Sequence, residues 1–359
     1  MMKNVLRTVP VVVILGVSLC WSASRGRRYL LEDVDVYGSS AVTAQQIKDS
    51  LTEPIAQFLR QHAIRTKAGQ AKADGYRKDV EEGVRKLGDF GWVHVDALEL
   101  GGNEKGDIRT LLIFDVIEKK AMAVRFPFRP APKGAVKDSA GLIEAYKRYA
   151  LVSSEVVRSG SGMDRADCPA FHCPPGAGNA ETKALEERFG SDVDIYKSIL
   201  EKILSEDRDP EKREAALYVL SYLKDGVEVV RLASFAMTDP GQRVREAALL
   251  VLNDIAIRHK EVPLPVQDII RVMDYPYPAD RNRALAVMLS LTDNPDYESV
   301  LLGPASTQML KLLRCKNPSN RQMAHTVLRL FSGENYAADD PDQWENWLWK
   351  TRQEKAKGK

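Results

Sequence analysis

Histidine and cysteine are scarce in this chain, 5 and 4 residues of 359. None of the histidines (His62, His94, His172, His259 and His325) stands at metal-binding spacing from another. There is no Gly-x-Ser-x-Gly elbow, no His-Glu-x-x-His and no Cys-x-x-Cys-His. Gly176-Ala-Gly178 is not continued to the third glycine of a dinucleotide loop. Gly101 to Gly106 has Walker-like spacing, but Asp107 replaces the lysine, and the stretch reads as a hairpin turn. These absences leave no catalytic, cofactor-binding or metal residue to assign, and the chain reads as a non-enzyme. A charge bias is missing too: 52 basic residues face 50 acidic ones, a formal net charge of +2. Without residues 1–24, which hold Lys3, Arg7 and no acid, the count is even. A nucleic-acid partner demands a basic excess or stripe, so that class is set aside.

Long apolar runs are also lacking, with one short exception. Val9–Ala23 is uncharged over 15 residues and comes after the basic start of Lys3 and Arg7. A spanning helix needs roughly 20 residues, whereas the apolar region of a secretory signal is shorter. Ser22-Ala23-Ser24 supplies small residues for cleavage, giving a mature chain from Arg25 and a periplasmic or otherwise exported protein. Two alternatives stay open. Residues 9–23 could be an uncleaved inner-membrane anchor, though Arg25, Arg27 and Arg28 would then lie on the exported side. Cys20 could be lipidated, though Leu19 stands where a small residue is usual.

The remaining chain divides into three parts: 29–120, 121–190 and 191–359. In the first, Leu30–Tyr37 alternates and stops at Gly38, as a strand with a turn does. Thr43 with Gln46 forms a capping box, and Ile47, Leu51, Ile55 and Leu59 continue at helical spacing. Thr66 to Gly75 has little pattern; Val80, Val84 and Leu87 suggest a second helix. Trp92–Leu100 and Leu111–Ile117 read as strands. The order is β-α-α-β-β. The stretches "VDVYGSSAVTAQQIKDSL", "LGDFGWVHVDALEL" and "TLLIFDVIEK" resemble a single POTRA domain, over about a quarter of the chain. That resemblance implies a small α+β module of the bacterial envelope that makes protein contacts, often by adding a strand to its sheet edge. POTRA modules usually precede an outer-membrane barrel or follow a division-protein anchor. No run of alternating ten-residue strands comes after this one, so barrel assembly is not implied.

The second part reads as a connector. Arg125–Gly134 is proline-rich, Gly141–Val157 allows one helix, and Ser159-Gly-Ser-Gly162 leads into Cys168-Pro-Ala-Phe-His-Cys173. As a zinc site, Cys168, His172 and Cys173 supply at most three ligands, with no second arm. As a redox pair they lack the short Cys-x-x-Cys spacing. In an exported chain two cysteines this close normally oxidise, and a loop of six stabilises by about 2 kcal/mol. A disulfide is the favoured reading, with thiol-redox or metal chemistry at Cys168, His172 and Cys173 as the alternative. Cys315 is left as a buried apolar residue of a repeat helix.

The third part repeats. Arg213-Glu-Ala-Ala-Leu217 recurs as Arg245-Glu-Ala-Ala-Leu249, and more loosely from Arg283 and from Arg321, at offsets of 32, 38 and 38. Each copy comes after a proline turn: Asp209-Pro210, Asp239-Pro240, Tyr277-Pro278 and Asn317-Pro318. A period in the thirties with two helices per unit is the mark of an α-solenoid. The pattern resembles HEAT repeats, best at Asp239, Pro240, Val244, Arg245, Ala247, Ala248 and Leu252. The arginines are expected on the ladder between repeats, and a proline after the cap suits a helix start. Trp344, Trp347 and Trp349 near the end are expected to cap the last repeat, with partner binding as the alternative.

The expectation is therefore a multi-domain chain, a POTRA-like α+β unit followed by an all-α HEAT-like solenoid. It would act as an exported scaffold or adaptor for protein partners of the cell envelope.

Overall fold

The computed structural model describes residues 28–103, 106–160 and 167–357. Residues 1–24, expected as an export signal or anchor, with residues 9–23 and Cys20, lie outside the described residues. The first elements are β1 (Tyr29–Tyr37), α1 (Ala44–Ser50), α2 (Thr52–His62), α3 (Lys67–Arg85), β2 (Phe90–Gly102) and β3 (Ile108–Glu118). Thr43 and Gln46 close the capping box of α1. The sheet order is β1-β3-β2, with β1 parallel and β2 antiparallel to the central β3. Alternation sends Val34, Val93, Val95, Leu112, Phe114 and Val116 to one face, where they share a core with Ile47, Ile55, Leu59, Val80 and Val84. Each such side chain, fully buried, contributes roughly 1.5–3 kcal/mol.

The patternless stretch from Thr66 to Gly75 is the first half of α3, capped by Thr66 on the Gly69 N–H. Glycine is a poor helix former, which hid the helix. Gly69 is required there by packing: a Cβ would sit 2.4 Å from the Ile64 side chain and 2.5 Å from its carbonyl oxygen.

The remainder is mostly helical. The helices are α4 (Met122–Arg125), α5 (Leu142–Arg158), α6 (Ala180–Glu206), α7 (Pro210–Leu220), α8 (Gly226–Ala236) and α9 (Gln242–Arg258). They continue with α10 (Val266–Val272), α11 (Pro278–Ser290), α12 (Glu298–Val300), α13 (Ser306–Leu313), α14 (Pro318–Ser332) and α15 (Pro341–Lys357). Helices α7, α9, α11 and α14 pack side by side in chain order, each backed by a partner: α6, α8, α10 and α13. Proline opens α7, α11 and α14 within their first turn. Pro240 instead precedes Gly241, the N-cap of α9, and Asp239 accepts from the Gly241 N–H.

The stretch expected as a connector is part of this body. Its helix α5 places Leu142, Ile143, Tyr146 and Tyr149 in the same core as α6 to α15. Its proline-rich segment is a strap laid across the turns between helices. Phe128 packs on Tyr275 and Tyr277. The Arg129 N–H donates to the Thr238 carbonyl at 2.9 Å. Gly134 pairs with Asp207, whose carboxylate accepts from the Val136 N–H at 2.8 Å. The strap thus runs back from the α11 turn to the α7 turn. Prolines suit it because an extended chain bound through a few N–H groups loses little by lacking the others.

The sheet's second face rests on the helices. Asp115 of β3 is fully buried and accepts from Arg281 of α11 at 2.5 Å. Tyr37 donates to Asp274 at 3.1 Å and lies beneath the Arg281 guanidinium. The Lys316 N–H donates to Asp35 at 2.7 Å. Trp92 packs on Phe126 and Tyr277. β3 is therefore covered on both faces, which is why its sequence is a near-continuous apolar run.

Candidate functional site

A row of arginines on the helices separates structural charge from available charge. Arg213 donates through two nitrogens to Asp239, at 2.9 and 2.6 Å, and to the Asp207 carbonyl at 2.8 Å. Arg245 donates to Asp280 at 2.8 Å and to the Asp239 carbonyl at 2.9 Å. Arg281 donates to Asn320 at 2.9 Å and to the Tyr275 carbonyl at 3.0 Å. In each case the arginine bonds the carbonyl six residues back and a residue at the next repeat. The third member is thus Arg281, fully buried, and not Arg283, which is exposed. Arg321 is half-buried and has no side-chain partner among the described residues. The slip in register arises because arginines stand two apart on both helices, Arg243 and Arg245 on α9, Arg281 and Arg283 on α11. Two residues along a helix is a turn of about 200°, so the members of each pair lie on opposite sides: Arg245 and Arg281 bond the next repeat, while Arg243 reaches back to α7 and Arg283 lies exposed.

On that other side lies the loop Cys168–Cys173. Its cysteines form a disulfide with Cα atoms 5.8 Å apart. The closed loop is a short tongue pressed onto the helices. The Phe171 N–H donates to the Ser221 carbonyl at 2.9 Å, at the end of α7. The Phe171 ring meets His259 at 4.6 Å and covers Gly226, where a Cβ would come within 3.0 Å of it. His172 is buried, bonds Asp254 at 2.9 Å through Nδ1, and stacks on Tyr218 at 4.8 Å. Tyr218 in turn stacks on Tyr146 at 5.1 Å. Three rings from the tongue, α7 and α5 therefore form one slab. The tongue adopts this pose because the disulfide removes most of its freedom before docking.

The slab walls a cavity of about 510 Å3, completed by Pro174, Pro175 and charged residues of α5, α7, α9 and α11. Arg243 bridges Glu214 at 2.5 Å and Glu211 at 2.8 Å. Burial pushes the Glu214 carboxyl up, against the pull of Arg243. Lys147 bonds Glu144, outside the cavity, at 2.9 Å. Burial also holds the Tyr146 and Tyr218 hydroxyls well above their ordinary range, so at neutral pH both are protonated donors.

With both sulfurs in a disulfide, neither is a thiolate that could ligate a metal. His172 is engaged by Asp254, and among the described residues no group of three His, Cys, Asp or Glu side chains is placed to hold one. Cys315 is buried just past α13, and burial pushes its thiol up to about 11. At the far end Trp344 is fully buried, donating to the Ala337 carbonyl at 3.0 Å, and Trp347 packs against it. Trp349 is 62% exposed and lies outside that cluster.

A second groove, about 590 Å3, runs between β1 and α2. Leu30, Leu31, Ile55 and Leu59 line it, with Arg28, Lys48 and Arg60 among its polar residues. β1 is an edge strand, paired with β3 alone. Lys316 binds beside its later half, donating to the Val34 carbonyl and the Asp33 carboxylate. Its first half carries the partly exposed Leu30 and Leu31. The opposite edge, β2, is met by Glu81 of α3, which accepts from the Val95 N–H. Neither groove was legible in the sequence, because each is assembled from segments far apart in the chain. Among the described residues no helix is long and apolar enough to cross a membrane. No family model, curated protein or solved structure matches this chain.

Proposed function

We propose that this protein is a non-enzymatic scaffold or adaptor of the bacterial envelope, exported to the periplasm, which holds protein partners. The single observation that carries the reading is the ring-walled cavity between the tongue, α5, α7, α9 and α11. It is concave, aromatic and charged, on a rigid helical body, as a polypeptide-binding site should be. The paired helices and their arginine row support the HEAT-like reading of the helical part. The β1-β3-β2 sheet backed by helices supports the POTRA-like reading of the N-terminal part, whose half-open β1 edge suits strand addition. The disulfide and the apolar segment at residues 9–23 support an exported location.

Site-specific photocrosslinkers at Ala150, in the cavity wall, and at Leu31, beside β1, test this in intact envelopes. Ile195, which is 73% exposed on α6, serves as the control position. Discrete protein adducts at the first two positions and none at the third are expected. Three identical adduct patterns would refute the reading.

A further inference from the structure

We propose that the ring-walled cavity recognises a carboxylate of a partner polypeptide, with Arg283 as the charged clamp and Tyr218 and Tyr146 as hydroxyl donors. The inference rests on the reading of this cavity as a polypeptide site and names the chemistry it selects.

Every other charged side chain of the lining has a partner: Lys147 has Glu144, Arg243 has Glu211 and Glu214, and His172 has Asp254. Arg283 has none among the described residues, although it lines the cavity and its charge acts on Tyr218. Tyr218 and Tyr146 are each only 7% exposed, line the same cavity, and have hydroxyls without a hydrogen-bond partner among the described residues. Neither hydroxyl oxygen is among the fully buried, unpartnered polar atoms, so both reach the solvent of the cavity and are open to an acceptor from outside.

An acceptor that also answers one free guanidinium is an anion with paired oxygens. The charge count favours a single negative charge. Glu211 and Glu214 stand in the same lining, and Arg243 is already engaged by both. A phosphate, with nearly two charges, would meet one free cation and two acids. A carboxylate meets the same cation and lays its second oxygen toward the tyrosine hydroxyls. The flat slab of Tyr146, Tyr218 and His172 offers a stacking surface for the apolar part of the residue that carries it.

That carboxylate is either a chain terminus or an Asp or Glu side chain, and one experiment separates them. The full chain purified from its envelope is screened against a hexapeptide library made in three forms. The first has free carboxyl termini, the second is amidated, and the third is amidated with Asp and Glu left out. Selection from the first alone assigns a terminal carboxylate. Selection from the first and second, with Asp or Glu enriched, assigns a side chain. Equal selection from the third overturns the carboxylate inference while leaving the cavity a peptide site. No selection from any library overturns both. For the selected peptide, Arg283→Met should weaken binding about tenfold or more, the size of a lost charge-assisted hydrogen bond. Arg283→Lys should recover part of that loss, and Tyr218→Phe should weaken binding about threefold to tenfold. Because Arg283 is exposed and has no partner among the described residues, its substitution should leave the melting temperature in place. Unchanged affinity in Arg283→Met overturns the proposal.

Discussion

Helices α9 and α11 each carry a pair of arginines two positions apart, and the members of each pair meet opposite fates. Arg245 and Arg281 are buried within the fold, bonded to Asp280, Asn320 and Asp115 and packed against aromatic rings. Arg243 and Arg283 stand at the cavity, the first shared between two glutamates and the second without a partner among the described residues. The residue type is the same, and the separation is two positions. What differs is which side of the helix meets a neighbour. Buried guanidinium groups hold the repeats and the sheet in register, while the outer row leaves charge available to a ligand. One side of the stack is thus closed by the chain's own N-terminal sheet, and the other is left open behind a stapled tongue.

The comparison breaks most sharply at Arg281. Arg281→Met leaves Asp115 and Asn320 buried without their donor, and about 3–5 kcal/mol of stability should be lost in urea titration. Amides of β3 should lose hydrogen-exchange protection more than those of α7 if the sheet loosens from the helices. A loss below about 1 kcal/mol would remove the distinction between the two rows.

His94 provides a second test, at the edge of the same interface. Its ring sits between Glu81, at 2.9 Å, and Asp96, at 3.3 Å, and lies 6.3 Å from the Tyr277 ring. Burial alone would lower its pKa, but the two carboxylates outweigh burial and raise it from 6.5 to about 9. A raised value in the folded state means that the stabilisation is fully present below pH 6.5 and is lost as pH rises through about 9. The contribution is on the order of 3 kcal/mol. Urea midpoints measured from pH 6 to pH 10 should fall across that window, and His94→Gln should flatten the fall.

A smaller loss is expected at the tongue. Cys168→Ser combined with Cys173→Ser should cost about 2 kcal/mol from the freed six-residue loop. It should also free Phe171 and His172 from their poses, so that the cavity loses affinity for its selected peptide while the sheet interface is unaffected. Proton chemical shifts of the stacked Tyr218 ring report the change. The smallest effect belongs to the outer row: Arg243→Met should change stability by less than about 1 kcal/mol, because Arg243 and Glu211 are half in solvent.

Much of the local structure is legible in the sequence. The strand at Tyr29–Tyr37, the capping box at Thr43, the proline starts of α7, α11 and α14, and the Cys168–Cys173 disulfide all arise from residues close in the chain. Contact with distant or hidden neighbours accounts for the rest. Gly69 reads locally as a weak helix position, and its packing on Ile64 is invisible until the chain folds. The proline-rich strap reads as a free linker because Thr238 and Asp207, which bind it, lie far downstream. Arg283 reads as a ladder member because it stands only two positions after Arg281, which takes that place.

The amino-acid order by itself settled where the three strands lie and where α1, α5, α7, α11 and α14 begin, that a small sheet precedes a helical part, and that a short loop would be stapled. These depend on backbone preference, periodicity and loop closure, which act over a few residues. The side of each helix that meets the sheet, the bond of Arg281 to Asp115, and the meeting of Tyr146, Tyr218 and His172 with Arg283 arose only on packing. Burial and ion pairing are properties of surroundings, and those surroundings come from segments tens to hundreds of residues apart.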